Sequence, residues 1–430
     1  MKYLSKLIFI FFFLEICFKQ NIKSTEINKP IFPSNKDEYI VKKYNFSSYN
    51  LTHPRYHFQD EYNKRKTFKI NYSYYPYLQI SQKLSYKENA MKIYNSTGML
   101  NITKLEFFYF KNESNINILS LNHIHISMAF DKEYSDLSLV SIVSILNTSS
   151  SDTYIHFHIL GLNFGFDEIN NIIKLRKINN KIEFIFYNCK QVEYDFDISL
   201  KERRGPANFA RLLSPEIINN TNKVLFLDSG DIIAQKDLSE VYFYDIKDNY
   251  FGFTLEICAG YYLEYKDKFA SNNFHPQGGV LLVNIREFRK DELYQRAVFV
   301  SKSYNTFDNP CQDIIITIAG NRFSFIPLNF NVNLHYDNEK DKKAKIIVPG
   351  IKTWLKLQRF TPYKYELSEF INAMLDPVIS HYYIGKMQNE KNCIKPVYQW
   401  LLYVNLTGKY ENLKLKYPNP FKCEKIFNLI

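Results

Sequence analysis

Cysteine is scarce in this chain, with six among 430 residues. Cys17 lies in an N-terminal apolar run, which leaves Cys189, Cys258, Cys311, Cys393 and Cys423, an odd five with no Cys-x-x-Cys spacing. That argues against a zinc module and against a fold built from disulfides. One or two bridges stay open, with Cys393 and Cys423 the nearest pair in sequence. A long apolar run is missing as well. Residues 7–18 come closest, interrupted by Glu15 and flanked by Lys2, Lys6 and Lys19, and a bilayer span needs roughly 20 apolar residues. The run suits the core of a signal peptide, with an uncleaved signal anchor as the alternative because no small-x-small cleavage site follows. Either way, the rest of the chain is expected in the secretory pathway, in the Golgi or endoplasmic reticulum lumen or secreted. Nor is positive charge clustered. The net charge is +11, but Lys and Arg are scattered and no recognised nucleic-acid motif occurs, so the excess fits an anionic small substrate or solubility better than a nucleic acid.

What the chain carries in excess is aromatic, 34 Tyr and 36 Phe. They run along its whole length with Asn, Ile and Lys, as background usage rather than a binding stripe. Asn45, Asn50, Asn71, Asn95, Asn101, Asn112, Asn147, Asn219 and Asn405 each precede Ser or Thr by two residues. Six of these nine fall between residues 45 and 112, which marks an exposed, glycan-tolerant N-terminal region. At 46% hydrophobic residues, the chain can bury one large domain plus an appendage. Pattern divides it into residues 1–18, a signal peptide or anchor, and 19–118, a polar, Tyr-rich stem or accessory region partly structured around 105–110. Residues 119–400 form the organised domain and 401–430 a C-terminal extension.

The organised domain centres on residues 223–238, Lys-Val-Leu-Phe-Leu-Asp-Ser-Gly-Asp-Ile-Ile-Ala-Gln-Lys-Asp-Leu. Residues 224–227 are a continuous apolar run, the pattern of a strand buried on both faces. It ends in Asp228 and Asp231, with Ser229 and Gly230 between them. Carboxylates at the end of a central strand are costly unless they hold something positive, and open α/β sheets bind ligands at that edge. Such oxygen ligands suit Mg²⁺ or Mn²⁺, which also bridge phosphate oxygens. The plainer alternative is a polar turn, for which Asp-Ser-Gly-Asp is good chemistry.

Strand patterns at residues 123–130, 155–160 and 182–187 alternate with helical spacing at 137–146 and 169–178, and a further strand is expected over 250–255. This alternation specifies parallel strands with helices on both faces of the sheet. His123, His125, His156 and His158 alternate along two of the strands. They read as satisfied histidines in or beside a sheet rather than as a metal cluster.

The wider run Phe-Leu-Asp-Ser-Gly-Asp-Ile-Ile-Ala-Gln-Lys-Asp-Leu-Ser-Glu-Val-Tyr resembles the nucleotide-sugar site of glycosyltransferase family 8, retaining enzymes that include glycogenin and bacterial galactosyltransferases. The family's Asp-x-Asp motif is here Asp-x-x-Asp, one residue longer. The resemblance covers about residues 120–400, with the motifs in the family order. It implies a glycosyltransferase A-type α/β fold, a Rossmann-like mixed sheet flanked by helices.

Ala129-Phe-Asp131 with Tyr134 resembles the family's opening, where the loop after the first strand cradles uracil and ribose, the Asp contacting the base and the Tyr stacking on it. An Asp131 placed beside a helix N-terminus is the structural alternative. Asn208-Phe-Ala-Arg211-Leu-Leu matches a family helix whose Arg reaches the donor sugar or diphosphate, a role that suits a bidentate fork of permanent charge. His275-Pro-Gln277-Gly278-Gly279-Val resembles a block lining the sugar pocket. Gln277 stands where the family usually has Asn, which bears on the choice of sugar, and the glycines allow close backbone approach.

Cys311-Gln312-Asp313 resembles a family D-Q-D segment with its first Asp replaced. The family's Gln lies against the reacting face of the donor sugar, so Gln312 and Asp313 are the expected catalytic face, able to stabilise an oxocarbenium-like state. Pro327-Leu-Asn-Phe-Asn331 resembles a family P-x-x-x-N loop. His381-Tyr-Tyr-Ile-Gly385-Lys386 with Lys395-Pro396 resembles H-x-x-G-x-x-K-P-W, in which the His holds a metal and the Lys the diphosphate. Gly385 comes one residue late, and Lys386 and Lys395 both stand as phosphate candidates, Lys395 being the better match.

The resemblance therefore implies Mn²⁺ or Mg²⁺ held by Asp228, Asp231 and His381, and a UDP-sugar donor. The acceptor would be a glycan or glycoprotein, receiving a hexose or pentose with retained anomeric configuration. Two rivals follow from the departures: a decayed transferase fold that binds glycans or serves as a scaffold, and a metal-dependent nucleotide-sugar hydrolase.

Overall fold

The computed structural model describes residues 120–162, 164–189, 192–196, 205–255, 276–303, 310–320, 322–333, 367–382 and 395–424, with two short strands at 77–78 and 104–106. In chain order the strands are β1 (Tyr77–Leu78), β2 (Lys104–Glu106), β3 (Asn122–Asp131), β4 (Thr153–Leu162), β5 (Ile182–Asn188), β6 (Lys223–Leu227), β7 (Ile232–Ala234), β8 (Phe251–Phe253), β9 (Val280–Asn284), β10 (Phe323–Phe325), β11 (Val332–Asn333) and β12 (Ile379–His381). Nine of them form one sheet in the order β1-β2-β5-β4-β3-β6-β9-β8-β10, and the other three form a small sheet, β11-β12-β7.

The strands that the sequence pattern marks most clearly, β3 to β6, run parallel in the centre. β9 lies antiparallel between β6 and β8, so the sheet is mixed. The strand expected over 250–255 is shorter, with only an isolated Leu255–Pro276 bridge beyond Phe253. Side chains alternate across each central strand. Ile124, Ile126, Met128 and Phe130 of β3 enter one core with Ile155, Phe157 and Ile159 of β4. Helix α1 (Ser135–Thr148) covers that face through Leu139, Ile142, Val143 and Leu146. α2 (Phe166–Ile173) follows β4 and tightens into a 3₁₀ turn at Lys174–Lys177.

The opposite face of β3 and β4 carries the four histidines. His123 Nδ1 meets His156 Nε2 at 2.8 Å and His125 Nδ1 meets His158 Nε2 at 3.1 Å. The ladder ends on Glu183, 2.8 Å from His156 Nδ1, and on the Tyr187 hydroxyl, 2.9 Å from His158 Nδ1. Rings whose nitrogens hydrogen-bond one another across strands are a structural ladder.

A second core lies on the other side of α1. There Leu137, Val140 and Ile233 meet Val397, Trp400, Leu401 and Val404 of α5 (Lys395–Leu406), with Leu413, Phe421 and Cys423 beyond. Helix α4 (Pro310–Ala319) is buried at every residue. α5 crosses residue 400 without a break, so the residues after it belong to the packing around the small sheet. Among the described residues no helix is long and apolar enough to cross a membrane.

Candidate active site

The two sheets meet at the Asp-Ser-Gly-Asp loop. β6 of the large sheet ends just before Asp228, and β7 of the small sheet begins just after Asp231. The chain turns through Gly230 at φ 75°, a left-handed conformation that costs glycine little. A Cβ there would also stand 3.0 Å from Leu137 Cβ. Ser229 Oγ donates to Ala129 O at 2.9 Å, and Gly230 N–H donates to Ser141 Oγ at 3.1 Å, which ties the loop to β3 and α1. Ser141 Oγ in turn donates to Ile232 O at 2.8 Å, and Ser144 Oγ accepts from Ala234 N at 2.9 Å. The serines of α1 thus satisfy backbone groups of β7 that a purely apolar helix would leave buried and unpaired.

Small-sheet pairing brings in His381. In the antiparallel register of β12 with β7, His381 faces Ile232, and Tyr382 N donates to Asp231 O at 2.7 Å. Large-sheet pairing brings in the glycines. β9 is antiparallel to β6, and Asp228 N donates to Gly279 O at 2.7 Å. Gly279 consequently lies between strand ends, and a Cβ on it would be 2.1 Å from His381 Cε1 and 2.7 Å from Asp228 Oδ2. Only a residue without a side chain lets the imidazole and the carboxylate approach this closely. His381 Nε2 and Asp228 Oδ2 are 3.8 Å apart. His381 is wholly buried, and Asp228 and Asp231 are nearly so.

Behind His381 stands a chain of amides. Its Nδ1 lies 3.1 Å from Asn331 Oδ1, and Asn331 Nδ2 donates to Gln277 Oε1 at 2.9 Å and to Thr254 Oγ1 at 3.1 Å. Gln277 Oε1 also accepts from Gly279 N at 2.6 Å.

Arg211, from α3 (Ala210–Ile217), reaches the same floor. Its Nη2 donates to Asp228 Oδ1 at 2.8 Å and its Nε to Asn208 O at 2.9 Å, and a further bond from Nη1 goes to Gly278 O. The guanidinium lies 4.9 Å from the Phe226 ring centroid, a cation–π contact. A Cβ on Gly278 would sit 2.8 Å from Arg211 Nη1 and 3.1 Å from Gln312 Cγ. This glycine therefore brings α3 and the first turn of α4 to one point. Gln312 and Asp313 are both buried there.

Beside Asp228 opens a cleft lined by Ala129, Asp131, Tyr134, Asn208, Asp228 and Asp231 among others. Asp131 Oδ1 accepts from Tyr134 N at 2.9 Å and so braces the start of α1. The sequence-based alternative for Asp131 is thus realised by one carboxylate oxygen, on a residue that also lines the cleft.

The sequence profile described as Glycosyl transferase family 8 matches residues 125–352, more than half of the 430 residues. The chain belongs to glycosyl transferase family 8. Shorter matches agree with that family. Over 97 residues it is 35% identical to human glycosyltransferase 8 domain-containing protein 2, covering 22% of this chain and 28% of that one. Over 103 residues it is 34% identical to probable galacturonosyltransferase 4 of Arabidopsis thaliana, covering 21% of this chain and 16% of that one. The matched segments thus span well under a third of these curated relatives.

Solved structures show the fold. The galactosyltransferase LgtC in complex with donor and acceptor sugar analogues superposes with TM-score 0.50 at 20% identity, covering 66% of this chain and 96% of that one. The bifunctional glycosyltransferase WbbM superposes with TM-score 0.53 at 16% identity, covering 70% and 52%. The architecture is the glycosyltransferase A-type mixed sheet flanked by helices.

Within this family 8 domain, the structure gathers most of the residues singled out by motif. Asp228, Asp231, Ala129, Asp131 and Tyr134 line one cleft. His381, Arg211 and Gly279 gather around Asp228, and Gly278 and Gln312 pack against Arg211 and each other. Gly385 and Lys386 lie outside the described residues, and of Lys395 only the backbone is described, as the first residue of α5. Motif reading assigned no role to Asn208, which accepts from Arg211 and lines the cleft, or to Asn331, which contacts His381. Asn331 was visible as the end of the P-x-x-x-N loop. Its partners lie 54 and 50 residues away in sequence, so only the fold reveals what it touches.

Proposed function

We propose that this family 8 domain transfers a hexose or pentose from a UDP-sugar to a glycan or glycoprotein acceptor, with retained configuration and dependence on Mn²⁺ or Mg²⁺. The observation that carries the proposal is the approach of His381 to Asp228 at the junction of two sheets, beside a cleft that Asp228 and Asp231 line with Asp131 and Tyr134. Among the described residues no three His, Cys, Asp or Glu side chains form a preformed cluster. Asp228 and His381 nevertheless face each other 3.8 Å apart across a glycine that keeps the space clear. One imidazole with carboxylates suits Mn²⁺, so Asp228, His381 and Asp231 would hold the ion. Bound there, it would neutralise charge building on the departing diphosphate.

The chain's own residues would do the rest. Tyr134 and Asp131 would hold the uracil by stacking and hydrogen bonding. Arg211 anchors Asp228 and the Gly278 turn, which fixes the floor on which the diphosphate would lie. Gln312, held against that turn by α4, would place its carboxamide near the anomeric carbon as positive charge develops there. In the transfer, the bond from the anomeric carbon to phosphate oxygen breaks and one to the acceptor oxygen forms on the same face. The acceptor's hydroxyl proton passes to the leaving phosphate.

A lumenal location is part of the same reading. It is supported by the apolar N-terminal run, by the exposure of Asn147, Asn219 and Asn405, and by Cys423 being disulfide-bonded. The decayed-fold reading draws on one observation, that a guanidinium already occupies Asp228 Oδ1.

The deciding experiment is UDP release from a panel of UDP-sugars by purified residues 19–430, with Mn²⁺, with EDTA, and with Asp231→Ala. Turnover of one UDP-sugar that EDTA and the substitution both abolish supports the transferase and names its donor. Loss of UDP and metal binding together with turnover sinks it in favour of the decayed fold.

A further inference from the structure

We propose that Gln277 and Asn331 are positioning residues which lock His381 into the tautomer protonated on Nδ1, leaving the lone pair of Nε2 facing Asp228. This rests on the metal site proposed above and departs from the family resemblance, which places residue 277 among the groups lining the sugar pocket.

The assignment follows from one unambiguous donor. The Gly279 peptide N–H can only donate, and the Gln277 side-chain atom 2.6 Å from it must therefore be the oxygen. That same oxygen lies 2.9 Å from the Asn331 side chain. Two carbonyl oxygens at this distance would repel, so Asn331 turns its Nδ2 toward Gln277. Thr254 Oγ1, at 3.1 Å, takes the second proton of that amide. Asn331 Oδ1 is then left facing His381 Nδ1 at 3.1 Å. An amide oxygen can only accept, so Nδ1 carries the proton. A neutral imidazole has a single N–H, and Nε2 is consequently the bare nitrogen, 3.8 Å from Asp228 Oδ2.

Each member of the chain is closed off from water. Gln277 and Asn331 are each 1% exposed and His381 is 0% exposed. The orientation is kept even though it leaves Gln277 Nε2 with no partner among the described residues. Reversing Gln277 would set its NH₂ against the Gly279 N–H, and reversing Asn331 with it would present NH₂ to His381. The ring would then carry its proton on Nε2, where a cation needs a lone pair. Hydrogen bonds that fix the second nitrogen of a ligating histidine set both tautomer and ring orientation, and removing them typically lowers metal affinity about 10–100-fold.

The test reads the tautomer directly, on metal-free protein with ¹⁵N-labelled histidine rings above pH 7. The His381 signals are identified by their loss in His381→Ala. Wild type is expected to show a pyrrole-type Nδ1 and a pyridine-type Nε2. Gln277→Met removes the acceptor at similar volume and frees Asn331 to turn over. His381 should then shift toward the opposite tautomer, and Mn²⁺ affinity, read from the electron paramagnetic resonance signal of free Mn²⁺, should fall about 10–100-fold. Gln277→Glu keeps an acceptor oxygen toward Gly279 and Asn331 and should retain the wild-type tautomer.

A wild-type His381 protonated on Nε2 overturns the proposal. So does a Gln277→Met protein that keeps both the tautomer and the affinity. If Gln277→Met fails to fold, the wild-type tautomer decides alone. Wild type that binds no Mn²⁺ but shows the Nδ1 proton counts against the proposed metal site and still supports the lock.

Discussion

At residue 279 an added methyl would stand 2.1 Å from His381 Cε1, whereas at residue 278 its near neighbours are the ends of Arg211 and Gln312 at 2.8 and 3.1 Å. The two glycines look alike in sequence, but their neighbours differ in how far they can retreat. His381 is wholly buried on a paired strand and has no other place to go. Long side chains such as Arg211 can swing by a few tenths of an ångström. Gly279→Ala is therefore expected to lower stability by about 1–3 kcal/mol through overpacking and Mn²⁺ affinity by at least about tenfold through displacement of a ligand. Gly278→Ala should leave the melting temperature closer to wild type and act mainly on turnover, by moving Gln312. Thermal melts and Mn²⁺ titrations of both variants check this, and wild-type Mn²⁺ affinity in Gly279→Ala would count against the placement of His381.

What was legible at this scale was residue type in motif order, as with Asp228, Asp231, Gln312 and His381. The reason for Gly279 was not legible, because it is the volume of an imidazole from residue 381.

Among the elements, α1 shows a signal that the chain displays openly. Ser135, Ser138, Ser141 and Ser144 recur every three residues, the last three within an otherwise apolar stretch over residues 137–146, and all four are buried. Helical spacing alone reads this segment as one more core helix. In the fold, Ser141 and Ser144 are its working polar edge, bonded to Gly230, Ile232 and Ala234. The small sheet they support was not legible, since strands of two and three residues are too short to display an alternation of period two. The parallel strands β3 to β6 were legible because each runs for five to ten residues, most of them buried.

Ser141→Ala is expected to cost about 1–3 kcal/mol, because it strands a buried N–H and a buried C=O at the Asp loop. Ser138, whose hydroxyl donates only to Tyr134 O one turn back, supplies the control, and Ser138→Ala should cost less. Denaturant unfolding of the two variants tests this. Equal, small losses would mean that α1 does not hold the loop.

For the molecule as a whole, the histidine ladder makes stability depend on pH in a stated direction. Burial, reinforced by His156 and then His123, lowers the pKa of His125 from 6.5 to about 3. The same ring is faced by His158 across the ladder and by Tyr242 from the helical turn above, while Glu183 pairs with His156. In the folded protein His125 is neutral over a range where the unfolded chain protonates it. Between about pH 3 and 6.5 the unfolded state therefore binds more protons, and stability rises with pH. The contribution is fully present above the unfolded pKa and is lost on acidification at about 1.4 kcal/mol per pH unit, or about 2 kcal/mol by pH 5. His125→Gln keeps a hydrogen-bonding side chain without a titrating group. Its melting temperature should fall less steeply than that of wild type between pH 7.5 and 5, whatever its absolute value. Comparing slopes removes the carboxylates and other histidines common to both proteins. Parallel slopes would place His125 in contact with water in the folded state.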